Sequence, residues 1–512
     1  RFGLQGSWHY QEPEHRMAQT QTSAPPVSSA AAGTQEQVIA AAPESSGELR
    51  RVLIIGGGLA GLTAARELRR CFRVTVVDAK EYFEFTSGIM RGYCKPSHWD
   101  SLVFPYHEVL ERQLGVGFIW GEVLSLDPSR RCVHIKTMFA EEEDVVPYDY
   151  VIVAGGCSFN PYSPTGESPW YPTVHQQDRL VSEMRHLDER FLEGRRRRIL
   201  EEHHSLTQLN ERQAKVLIVG AGFMGVEWAC DLRHFFPGLS ITLTDLVGCL
   251  YSLPDEASAY CEEYMQSRDI KTVYGIKYDK DSNVYWEKVG LPGGADKTYI
   301  VAGPKSSNYF MPKPVLSDKG PGGGGWVMIN KYLQVVTRQG VLWGDGCIFA
   351  VGDCVAHAIP DPSAKAKASS EEKPPWEIPP VPKTGYSAEQ QAVHATRNLR
   401  TLDAQWHGGA NHRLCCCLPM PTTLKATWYP WGSGVYAISL GPHDGCVVVG
   451  NKEKVGSGRM WLRGLTAAAQ KELIETTKVA QCRGDHYLAR FLWFSIHHWP
   501  INLCGRGPLL SL

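Results

Sequence analysis

Two glycine turns in this sequence are each followed, one strand later, by an aspartate, and such residues can hold dinucleotides. Gly56, Gly58 and Gly61 stand in a G-x-G-x-x-G spacing. The first permits a tight bend, the second lets the backbone approach a pyrophosphate, and the third lets a helix lie close to a strand. The phosphates would then meet the positive end of the helix that starts near Leu59. Asp78 ends the next strand, where a carboxylate accepts hydrogen bonds from ribose hydroxyls. Gly220, Gly222, Gly225 and Asp245 repeat the pattern. An acid in the place of Asp245 suits a free 2′-hydroxyl and repels a 2′-phosphate, so NADH is expected over NADPH there, although neighbouring loops can override the preference. One such glycine spacing arises easily by chance. Here strand, turn, helix, strand and acid come in order, twice.

The elements that must position these residues are also legible. Residues 51–55 are a short apolar strand, Leu62, Ala65 and Leu68 mark a helix, and residues 73–78 are a second strand, which completes a βαβ unit. Residues 148–154 form another strand that runs into Gly155 and Gly156. A second βαβ unit spans residues 215–245, and residues 348–353 form a strand that ends in Gly352 and Asp353. Residues 183–214 read as a charged helix, and its run Arg195 to Arg198 reads as a solvated face, with phosphate or anionic lipid as the competing partner. Residues 313–325 form a Pro/Gly-rich loop and residues 357–382 an inserted surface loop. Alternation from about Ala426 onward indicates a small β-containing domain, closed by a helix and a tail.

Composition sets limits. A chain of 512 residues implies about three domains. With 43% hydrophobic and 21% charged residues it is expected to be globular, and a net charge of −1 gives no electrostatic footprint for nucleic acid. The fifteen cysteines are scattered without metal-ligand spacing, which points to a reduced compartment and to no metal. No apolar run reaches the ~18 residues needed to cross a bilayer, and neither a secretory nor a mitochondrial targeting pattern is visible. Met17 reads as a start codon preceded by extended reading frame, or else the chain is mature and a targeting peptide is gone. Residues 1–48 read as a disordered lead-in.

Two such units together with Gly352-Asp353 resemble the two-dinucleotide-binding-domain flavoprotein superfamily, from about Arg51 to Leu399 and more faintly to about Lys478. The resemblance implies an α/β fold with two Rossmann-type domains and a small α+β carboxyl-terminal domain. The FAD-binding domain is expected at 49–165 and 335–425, the NAD(H)-binding domain at 166–334 and the last domain at 426–512. It implies that the first unit binds FAD, the second NAD(P)H, and that Asp353 contacts the FAD ribityl–pyrophosphate. The strand ending in Gly155 resembles the superfamily's ATG strand, with Gly155 in place of Thr. The CxxxxC pair of the disulfide reductases is absent, since only Cys94 lies in that region. Residues 77–91, 305–308, 382–392 and 439–445 instead resemble the branch of type II NADH:quinone oxidoreductases and the apoptosis-inducing-factor-like ferroptosis suppressors.

That branch implies transfer of hydride from nicotinamide to flavin N5, with the protein aligning the rings and excluding water. By resemblance Glu227 orients the nicotinamide, against the alternative of an exposed first-turn acid favoured by the helix dipole. Lys383 is expected to place positive charge near the flavin N1–C2=O region, and Gln391 to lie beside the flavin and acceptor channel. Lys80 and Arg91 are secondary flavin-site candidates, and for these last three a surface role competes. The acceptor implied is a quinone. Leu488, Phe491, Leu492, Trp493, Ile496 and Trp499 recur at helical spacing, so residues 485–499 could lie in a membrane interface as a peripheral contact, or pack on the protein's own core or on a homodimer partner. Three alternatives stay open: another acceptor such as monodehydroascorbate, a ferredoxin-type protein or dioxygen; an NADH-sensing interaction protein; and an accessory subunit of a larger assembly.

Overall fold

The computed structural model describes residues 49–159, 188–301, 304–320, 323–358, 383–407, 413–415, 418–419, 423–426, 435–450, 458–484 and 491. The expected lead-in over 1–48, the inserted loop beyond residue 358 and the tail helix, apart from Phe491, lie outside the described residues.

Val52, Leu53, Ile54 and Ile55 are all buried, because strand Arg51–Ile55 sits in the middle of a parallel sheet covered on both faces. It pairs in parallel with Arg73–Asp78 on one side and Tyr150–Val153 on the other, placing Ile54 between Val76 and Ile152. Ile348–Ala350 extends the sheet beyond Tyr150–Val153, and Gly117–Asp127 extends it beyond Arg73–Asp78. Cys132–Thr137 and Asp144–Pro147 complete its seven strands in antiparallel fashion. Because five neighbouring strands are parallel, their carboxyl ends share one edge. Gly56, Asp78, Gly155 and Gly352 therefore come together from distant parts of the chain, at the edge where open α/β sheets bind ligands.

The second unit is a four-stranded parallel sheet in the order Lys271–Tyr274, Ser240–Asp245, Lys215–Val219, Lys297–Ile300. The chain reaches it past Cys157–Phe159 and leaves it past Pro304–Ser306, and these two strands pair antiparallel. The first sheet is thus assembled from residues 51–153 and again from 348–350. Helix Gly385–His407 packs on helix Leu59–Leu68. Near the carboxyl end, Val435–Ser439, Gly445–Val449 and Arg459–Arg463 form an antiparallel sheet, and helix Leu465–Arg483 lies against it.

The arginine run behaves differently from the solvated face expected. Helix Leu192–Glu211 buries Arg195 completely. Its Nε and Nη2 donate to Glu84 Oε2 and Oε1 at 2.9 and 3.2 Å, and Nη1 donates to Glu189 at 3.3 Å. Trp99 Nε1 also donates to Glu84 Oε2, at 2.8 Å. Arg196, Arg197 and Arg198 remain nearer the surface and pair with Asp100, Asp188 and Glu189. One arginine of the four pins the helix to the first unit, while the others face outward.

Candidate functional site

The two glycine turns are built alike. Gly56 N donates to Val77 O at 2.8 Å, and Gly220 N donates to Thr244 O at 2.7 Å. The next residue donates to the acid at the end of the second strand: Gly57 N to Asp78 Oδ2 at 2.7 Å, Ala221 N to Asp245 Oδ2 at 2.8 Å. The other carboxylate oxygen takes Lys80 N at 2.9 Å in the first unit and Val247 N at 2.7 Å in the second. Each aspartate therefore fastens its own glycine turn, a role that comes in addition to the ribose contact expected of it. A Cβ on Gly61 would lie 1.9 Å from Gly56 O, and one on Gly225 would lie 1.7 Å from Gly220 O. Only glycine lets the helix approach the turn so closely.

Helices Leu59–Leu68 and Phe223–Phe235 begin at Gly58 and Gly222, neither with a side-chain cap. Their first-turn N–H groups stay available for a phosphate. Beside Gly58 and Gly222 there is open space where a Cβ would point. These features fit a dinucleotide pyrophosphate at each turn. Gly155, where the resemblance expects Thr, also faces open space, and a Cβ there would meet no protein atom within 4 Å.

A cavity of about 790 Å³ runs along the shared edge, within the range of pockets that take organic ligands. Gly56, Gly58, Asp78, Lys80, Asp353 and Lys383 line it from the first unit. Phe223, Met224 and Glu227 line it from the start of the second unit's helix. Phe223 stacks on Tyr436 with centroids 5.3 Å apart, so one wall is flat and apolar.

Burial pushes the Asp353 carboxyl up, and the nearby Lys383 ammonium pulls against that shift. Lys383 Nζ donates to Asp353 O at 2.7 Å and Val355 O at 3.1 Å, and it lies 3.7 Å from the Trp326 ring centroid. Burial lowers the Lys383 pKa, with Asp353 opposing. Glu227 is buried rather than an exposed first-turn acid. Its Oε1 accepts Ser439 N at 3.0 Å and pairs with Lys471.

Two candidates sit elsewhere. Gln391 is fully buried behind the Gly352 turn, where its Oε1 accepts Gly352 N at 2.6 Å. Glu389, two residues earlier, lines the cavity instead, because two residues on a helix turn the side chain by about 200°. Arg91 is not part of the large cavity's lining. It pairs with Asp231 at 3.5 Å and faces a smaller polar cavity.

Sequence reasoning missed one whole wall. Helix Leu465–Arg483 presents Lys471, Ile474, Glu475 and Lys478 to the large cavity. Lys478 pairs with Glu389 at 2.7 Å with both side chains buried. The i, i+3, i+4, i+7 spacing of those four positions was the available signal.

Asp231 gives a pH test. Burial pushes its carboxyl up to about 6, with Arg91 opposing and Glu227 adding to the rise. A raised acid binds more protons folded than unfolded between its ordinary value and that one, so its contribution lowers stability as pH climbs through the window. Asp231→Asn removes this dependence. Its stability relative to the parent is expected to rise by about 2–3 kcal/mol between pH 4 and 7, read from urea unfolding at both.

The sequence model of the family described as "Pyridine nucleotide-disulphide oxidoreductase" matches residues 50–392. A type II NADH:quinone oxidoreductase of Staphylococcus saprophyticus is 21% identical, over 85% of this chain and 96% of the relative. Apoptosis-inducing factor homolog B of Dictyostelium discoideum is also 21% identical, over 80% of this chain and 92% of its own. Among solved structures, NDH2 from Plasmodium falciparum in complex with NADH superposes with a TM-score of 0.56 at 14% identity. That match covers 88% of this chain and 97% of the other, and it is a likeness of fold.

Proposed function

The chain belongs to the pyridine nucleotide-disulphide oxidoreductase family, and from that premise we propose an FAD-dependent enzyme that takes hydride from NADH and passes electrons to a quinone. The observation that carries this reading is a single cavity reached by both dinucleotide units, with Gly58 and Asp353 on one side and Met224 and Glu227 on the other. Quinone enters from the names of the relatives and fits the flat apolar wall of Phe223 and Tyr436. Bound at the first turn, FAD would supply the two-electron carrier between the two substrates.

The residues then have separable tasks. Asp78 and Asp245 would receive ribose hydroxyls on turns they already hold rigid, and Gly352-Asp353 would close on the other end of the flavin nucleotide. Lys383 holds a cationic head at that end, fixed by two carbonyls. Glu227, anchored to Ser439 N and Lys471, would set the nicotinamide's position. No thiol pair is assigned a role: Cys94 is buried away from the cavity lining. No helix among the described residues is long and apolar enough to cross a membrane. Peripheral contact with a quinone-bearing membrane belongs to the same proposal, supported by the exposed Trp461, Leu465 and Leu473 on the last domain. A homodimer partner for the tail is the other occupant to test, by sedimentation.

The purified protein is expected to show a flavin spectrum that anaerobic NADH bleaches and a short-chain quinone rapidly restores. Bleaching without rapid reoxidation would move the reading to another acceptor or to an NADH-sensing protein. A colourless protein that FAD cannot reconstitute would sink it. Glu227→Gln keeps an acceptor for Ser439 N and removes the charge. It is expected to slow bleaching by NADH about 10-fold at unchanged flavin content, measured by stopped flow.

A further inference from the structure

Beside the large cavity lies a second one of about 20 Å³. The two share walls, since Ser87, Met90, Glu227, Lys471 and Glu475 face both. A space of that size holds about one water when polar groups surround it. Its other lining includes the charged or polar side chains of Arg91, His98, Asp231 and Glu472. Asp231 is only 2% exposed, and its Oδ1 has Arg91 Nε at 3.5 Å as an ion-pair partner. His98 is partly open to solvent, and its Nε2 lies 3.0 Å from Oε1 of the buried Glu475. Glu472, on the same helix as Glu475, is exposed.

We propose that this small cavity holds an ordered water and that His98, Glu475 and this water carry a solvent proton into the large cavity. The proposal rests on the NADH-to-quinone reading. NADH leaves as NAD⁺ after giving up a hydride, which is two electrons and one proton, and quinone needs two electrons and two protons to become quinol. The second proton must come from solvent and reach the reduced acceptor inside the large cavity. His98 lies at the solvent side, Glu475 faces both spaces, and Glu227 and Lys471 meet the proton at the inner wall. The charged or titratable groups around the path are Arg91 and Cys94 on helix Ile89–Cys94, His98 on helix Pro96–Leu102, Glu227, Cys230 and Asp231 on helix Phe223–Phe235, and Lys471, Glu472 and Glu475 on helix Leu465–Arg483. Arg91, the flavin-site candidate of the sequence, acts here as the counter-charge that keeps Asp231 in place.

Two measurements on the holoenzyme test this. A high-resolution crystal structure is expected to show a water in the small cavity within hydrogen-bond reach of Asp231 or Glu475. His98→Gln, which leaves the large cavity's lining intact, is expected to slow quinone-dependent reoxidation about 10-fold or more above neutral pH with bleaching by NADH unchanged, and Glu475→Gln is expected to slow the same reoxidation step. The rate should recover as pH falls or when imidazole is added as a diffusible acid. A dry cavity, or variants with the parent's pH profile and no response to imidazole, overturns the proposal. If NADH fails to bleach the parent protein, the oxidoreductase reading falls and this proposal falls with it.

Discussion

Gly61→Val is expected to yield a colourless protein, while Gly225→Val, the same change in the twin turn, yields a yellow protein that NADH no longer bleaches. The new Cβ in the first variant would stand 1.9 Å from Gly56 O, and in the second 1.7 Å from Gly220 O. A Cβ essentially never comes within 3.0 Å of such an atom. The blocking atom is backbone in both turns, so no side chain can swing aside. Either the helix start moves away from the strand or the turn opens, and both break the arrangement in which Gly57 N and Ala221 N meet their aspartates. The first-turn N–H groups then no longer point at one place. Losing two charge-assisted hydrogen bonds to phosphate, at about 1.5–3 kcal/mol each, weakens binding by about 10²–10⁴-fold. Flavin titration by visible absorbance reads the first variant, and anaerobic bleaching with titrated NADH reads the second. A Gly61→Val protein with full flavin would overturn the assignment of that turn, and flavin loss from Gly225→Val alone would exchange the two assignments.

The paired outcome depends on the two units being legible separately, and they were legible because their signals are local. Each turn, helix start and acid falls within one βαβ unit, and the structure closes that unit with short backbone bonds. The strand at 348–350 and its Gly352-Asp353 end could also be read, since a buried parallel strand leaves an unbroken apolar run. What the sequence concealed are contacts between residues far apart in the chain. Lys471 pairs with Glu227, and Lys478 with Glu389, across long stretches of sequence. Nothing near Lys471 or Lys478 announces a partner. Gln391 and Glu389 stand so close in sequence that resemblance alone cannot tell which faces the cavity. The helix phase decides it, and Glu389 is the one that does.

Arg195 is the strongest instance of a long-range partner, and it carries the second large effect. Arg195→Met is expected to destabilise the protein by about 3–5 kcal/mol, because it leaves Glu84 charged, buried and unpaired. Burial by itself pushes the Glu84 carboxyl up, yet the charge and hydrogen bonds of Arg195, with help from Lys80 and Trp99, hold it below its ordinary value. The sign of the pH dependence follows. In the parent, Glu84 contributes stability above the ordinary carboxylate range and loses it as pH falls through the lowered value. In Arg195→Met the carboxyl rises instead, so that contribution turns into a loss that grows as pH climbs. The deficit of the variant should accordingly be larger at pH 7 than at pH 4.5, measured by urea unfolding. Glu84→Gln in the Arg195→Met background should recover part of the deficit at pH 7, since a neutral amide needs no counter-charge. Glu84 also lines the large cavity. The same double variant therefore separates two effects: recovered stability with weakened flavin binding would mean the ion pair shapes the cavity as well as holding helix Leu192–Glu211 in place.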